Sequence, residues 1–70
     1  MELTGKITTI APIVIEGNTH YYVCISGNEG IFDFDMTDAF VLDILKYKEG
    51  DMITISYAKG GTVNEVLEIK

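Results

Sequence analysis

Arginine is absent from this chain, and cysteine, histidine and proline occur once each, as Cys24, His20 and Pro12. Each scarcity excludes something. Without arginine, five lysines face eleven acidic residues and leave a formal net charge of −6. Nucleic-acid binding draws most of its affinity from Lys and Arg on phosphates, so tight binding to a polyanion is not expected. A single thiol makes no internal disulfide, which points to a reduced, cytoplasmic chain with a half-buried Cys24. His20 is the only neighbour able to activate that thiol, and along a strand it lies about 13 Å away, too far for contact. Nucleophilic catalysis is therefore not expected, and neither is enzymatic activity of another kind or a cofactor. Long apolar runs are also missing: nothing approaches the ~20 residues of a membrane helix. The opening "MELTGK" does not have the basic-then-apolar pattern of a secretory leader.

What the chain does contain is apolar residues, 47% of its 70, ordinary for one small globular domain spanning residues 1–70. Glycines punctuate it at "EGNT" (16–19), "SGNEG" (26–30), "KEGD" (48–51) and "KGGT" (59–62), where tight reversals need positive φ. Between them lie five stretches rich in β-branched and aromatic residues: 3–16, 19–26, 30–36, 51–58 and 62–70. These read as strands. Pro12 predicts a bulge or an edge position in the first. Val63 and Val66 fall on opposite faces of an unbroken fifth strand, which predicts a bulge at Asn64–Glu65. The segment "TDAFVLDILKY" (37–47) has the 3.6-residue spacing of an amphipathic α-helix, with Phe40, Val41, Ile44 and Leu45 predicted to plug one end of a barrel. Thr37 or Asp38 is placed to cap it.

The order is strand, strand, strand, helix, strand, strand. With "GKITTIAPI" as a bent first strand, "VCISGNEGIFDF" as the second hairpin and "KEGDMITISY" leading into strand four, the chain resembles the OB-fold across nearly its whole length. The resemblance implies an all-β domain with one helix, a five-stranded antiparallel Greek-key barrel of order β-β-β-α-β-β. A β-grasp leaves "GIFDFDM" without a place, and an SH3-like barrel does not normally carry such a helix here.

Side chains alternate along a strand. A charge buried without a partner is costly, so Asp33 and Asp35 are expected to face water and Phe32, Phe34 and Met36 the core. The same alternation sends Tyr21, Val23 and Ile25 inward, and His20, Tyr22, Cys24 and Ser26 outward. The ligand face that the resemblance implies is the outer surface of strands two and three, with His20, Tyr22, Ile31, Asp33 and Asp35 as its candidate residues. Single-strand binders set several stacking rings in a positive groove. Here one ring, Tyr22, stands beside two carboxylates between short loops. Asp33 and Asp35, with His20, make a thin cation site, since hard cations prefer more oxygen ligands. Lys6 and Lys59 are the candidate phosphate contacts, with Lys70 a third member if strands one, four and five adjoin. Ile10 or Ile13 beside Ile31 and Tyr22, and Leu42 on the helix, are candidates for an apolar patch of the kind that marks a protein partner.

These features predict a non-enzymatic binding module that works through protein contacts or as a subunit of a larger assembly. The alternative is a weak single-stranded nucleic-acid binder using Tyr22 for stacking and Lys6 and Lys59 for phosphates. Neither a metal nor a membrane enters the expectation, and oligomeric state is not readable from the residues.

Overall fold

The first strand, β1, runs over Glu2–Ile15, long enough to serve two neighbours in succession. In the computed structural model, which describes residues 1–70, Glu2–Lys6 pair with β4 (Met52–Ala58) and Ile7–Ile15 pair with β2 (Asn18–Ile25). β2 continues into β3 (Ile31–Asp35), and β5 (Val63–Ile69) lies between β3 and β4. The sheet thus closes on itself in the order β1-β2-β3-β5-β4. Strand four returns beside strand one, giving the 4-1-2-3 arrangement of a Greek key. All pairings are antiparallel except one: β3 and β5 run parallel. The expected all-antiparallel sheet is therefore corrected to a mixed one. The chain crosses from β3 to β4 before β5 fills the gap, and β5 then enters from the same end as β3.

Bending β1 between two neighbours needs an extra residue, and the register slips at Thr8, between Ile7 and Thr9. The bulge expected at Pro12 is thus found four residues earlier. Pro12 takes the other predicted role, an edge position. Met36 N–H donates to Thr19 C=O, so the Thr19 backbone faces β3. Its partner on β1 is Val14, whose polar groups consequently point away from β2, and by alternation so do those of Pro12 and Ile10. No strand flanks that side, and the missing donor of Pro12 costs nothing there. The β1–β2 turn is Glu16–Gly17, with φ of 50° and 83°, a two-residue turn of the primed class that suits the strand twist.

The core carries out the carboxylate inference. Phe32 and Phe34 are 2% and 0% exposed, and Ile7, Val23, Ile25, Ile53 and Ile55 surround them. Phe32 meets Tyr57 edge-on, centroids 5.1 Å apart at 87°, a favoured aromatic geometry. Gly5 is where strands approach closely, since a Cβ there would strike Ile25 Cγ2. On β5 the irregularity lies at Leu67, the residue skipped between Val66 and Glu68 in the pairing with β4. This corrects the bulge expected at Asn64–Glu65. Asn64 and Val66 point inward, Leu67 is displaced to the surface, and Ile69 packs on the core again.

The helix is the largest correction. Ala39–Lys46 form a 3-10 helix, closed by bonds such as Val41 N–H to Asp38 C=O and Tyr47 N–H to Ile44 C=O. Asp38 caps it by accepting from Phe40 N–H at 2.9 Å. In a three-residue turn, side chains at i and i+3 eclipse. Val41, Ile44 and Tyr47 therefore face the barrel, the first two fully buried. Phe40 and Leu45, expected in the plug, stand 72% and 62% exposed, and Leu42 joins them at 42%.

Candidate ligand-binding face

Residues paired across neighbouring strands share one face of a sheet. Tyr22 pairs with Ala11 on one side and Asp33 on the other, and Asp33 with Glu65. The row below it is Ile13, His20 and Asp35. The predicted candidates are thus brought together: His20, Tyr22, Asp33 and Asp35 occupy adjoining positions on the outer surface, all half-buried. Ile31 shares the same face, beside Val63 of β5. Of the two isoleucines considered for it, Ile13 belongs there, while Ile10 packs against the core.

The polar groups on this face are largely committed to one another. His20 Nδ1 lies 2.9 Å from Asp33 Oδ1 and 3.2 Å from Oδ2, with 13% and 18% of the two side chains exposed. Asp35 Oδ1 accepts from the Thr37 N–H at 2.9 Å and from its hydroxyl at 2.8 Å. The Thr37 backbone bond, then its hydroxyl, hold the Asp35 carboxyl below the usual carboxylate range, with the nearby His20 acting in the same direction. No three His, Cys, Asp or Glu side chains converge as metal ligands anywhere in the molecule. The Cys24 thiol is free and half-buried.

Positive charge lies elsewhere. Lys6 pairs with Met52, the first residue of β4, and Lys59 follows Ala58, the last. The two candidate phosphate contacts are separated by the length of that strand, about 20 Å at 3.3 Å per residue. Lys70 is held by Glu68 at 3.1 Å and Glu2 at 3.8 Å. The three do not form a free basic cluster. Glu65 was not recognisable as part of the face from the sequence, because it arrives through the parallel β3–β5 pairing, which leaves no local signal. The face is therefore acidic around a single phenol ring, an arrangement that repels a phosphate backbone and suits a cationic or neutral surface. No protein-family model, no curated protein and no solved structure matches this chain. No helix is long and apolar enough to cross a membrane.

Proposed function

We propose that the chain is a non-enzymatic binding module of OB-fold type, acting through contact with another protein or as a small subunit of a larger assembly. The Greek-key return of β4 beside β1, with one helix between β3 and β4, supports the OB assignment. The observation that carries the function is the outer side of the 3-10 helix, where Phe40 and Leu45 stand 72% and 62% exposed. Large apolar side chains on the centre of a polar surface are what a protein contact desolvates. Asp38 borders them, the neighbouring Asp43 is paired with Lys46 at 3.4 Å, and the whole chain carries −6. The partner is accordingly a different protein offering an apolar socket with a basic rim, because a second copy would bring like charge to like.

A photo-crosslinking residue at position 40 should give an adduct with one discrete basic protein, lost in Leu45→Glu. The same probe at position 22 should give none. A reversed pattern, or adducts with nucleic acid, would move the assignment to the β2–β3 face. Single-stranded binding is checked directly by oligonucleotide anisotropy at low salt. Micromolar affinity that falls steeply with salt and again in Tyr22→Ala would favour the nucleic-acid alternative.

A further inference from the structure

The β2–β3 and β4–β5 loops meet because β3 and β5 run parallel and begin side by side. Between them lies a cleft of about 400 Å³ lined by Glu29, Gly30, Lys59, Gly61, Thr62 and Asn64, with no apolar side chain in its walls. Its floor is Asn64, 6% exposed, an amide in an inward position of β5 paired with Phe32. The Asn64 Oδ1 accepts from Gly60 N–H at 3.1 Å, and its Nδ2 reaches Ile31 C=O at 3.5 Å. One buried side chain thus ties both walls, and Ile31 N–H to Thr62 C=O at 3.0 Å adds a second tie. Gly30 sits at φ +89°, where a Cβ would stand 3.1 Å from Thr62 O and 3.2 Å from Asn64 Nδ2. The spacing of the walls is set before anything binds, which lowers the entropic cost of holding a small ligand.

Two opposite charges line this cleft from different loops. Lys59 and Glu29 take part in none of the ion pairs of the molecule, which involve His20–Asp33, Lys46–Asp43 and Lys70 with Glu2 and Glu68. A bare phosphate would meet the Glu29 carboxylate and the net −6 of the chain. A divalent cation would find one carboxylate where it prefers several oxygens. An apolar ligand would strip water from polar walls without return. We propose that the cleft binds a small zwitterion of the α-amino-acid class, its carboxylate toward Lys59 and the Thr62 hydroxyl and its ammonium toward Glu29. This site is separate from the helix ridge.

The test is an amide-resolved NMR titration of the intact chain with glycine, with acetate and methylammonium as half-ligands and inorganic phosphate as the competing anion. Glycine should give saturable shifts at Gly30, Gly61 and Thr62, with a dissociation constant of about a millimolar. The half-ligands should not saturate. Lys59→Met and Glu29→Gln, both at exposed positions, should each weaken glycine by about tenfold or more, as expected for loss of a charge-assisted bond, while the remaining spectrum stays folded. The proposal is overturned by glycine shifts that never saturate, by unchanged glycine affinity in Glu29→Gln, or by phosphate binding more tightly than glycine.

Discussion

The two halves of β1 meet fates opposite to what their apolar content suggests. Glu2–Lys6 are sewn to β4, and Ile7, where the strand passes from β4 to β2, is 1% exposed in the core. Thr9–Ile15 pair with β2 alone, and Val14 stands 68% exposed. The free half is the more apolar of the two, with Ile10, Ile13, Val14 and Ile15 against Leu3 and Ile7, so apolar residue type does not explain which half is buried. Closure does: a strand inside a ring buries one face, while a strand that outruns the ring, as this one does beyond Ile10, keeps both faces and an edge in water. Apolar character beyond Ile10 therefore contributes little to stability and creates an open edge.

Substitutions can break or sharpen that contrast. The largest effect is expected inside the ring. Ile7→Ala should cost about 2–5 kcal/mol and Phe34→Ala about 3–5 kcal/mol in denaturant unfolding, as for well-packed core residues. If either costs under about 1 kcal/mol, the packing described is wrong. Next comes Pro12→Val. It restores a donor on the outward edge and removes the ring that obstructs an approaching strand. Sedimentation should show self-association of the variant, reversed by adding Val14→Lys. A monomer at every concentration would mean the edge is closed by something else. In the turn, Glu16 holds φ +50°, a region that asparagine tolerates better. Glu16→Asn should stabilise by about 0.5–1 kcal/mol, part of the left-handed penalty. Val14→Ala should change stability by less than about 0.5 kcal/mol, since it touches no core; a loss comparable to Ile7→Ala would erase the contrast altogether.

The mildest expectation concerns acid. The Thr37 N–H and then its hydroxyl hold the folded-state Asp35 carboxyl below the ordinary carboxylate range. A depressed carboxylate stabilises the fold above the unfolded pKa, and the contribution fades as pH falls through the folded value. Wild type should lose stability more steeply than Asp35→Asn below about pH 4. Parallel acid curves for the two would show that Thr37 does not favour the charged form.

How much of this was legible follows from what each feature depends on. Strand limits and faces are local: alternation with Asp33 and Asp35 on one side and Phe32 and Phe34 on the other settles a face by desolvation alone. The observed β2 and β3, Asn18–Ile25 and Ile31–Asp35, lie within a residue of the stretches expected. The bulges at Thr8 and Leu67 answer to closure of the ring, to which no residue type is specific; Pro12 marks the edge and not the bulge. The helix type is not legible in the spacing, because Phe40, Val41, Ile44 and Leu45 fit a period of 3.6 while Val41, Ile44 and Tyr47 fit 3.0 equally well. Only the body beneath decides, and it leaves Phe40 outside. Of the candidate face, His20, Tyr22, Asp33 and Asp35 could be grouped from one hairpin, while Glu65 and the cleft over Asn64 needed the parallel pairing.

That pairing also orders events in time. The β1–β2–β3 meander joins residues near one another in sequence, whereas Ile31 must find Val63 and Leu3 must find Ile55. Distant encounters carry the larger chain-entropy cost, so we expect the meander to organise first and the β3–β5 seam to knit last. Stopped-flow refolding in which Thr62→Gly changes the unfolding rate and leaves the folding rate alone would fit that sequence of events, and a slowed folding limb would reverse it.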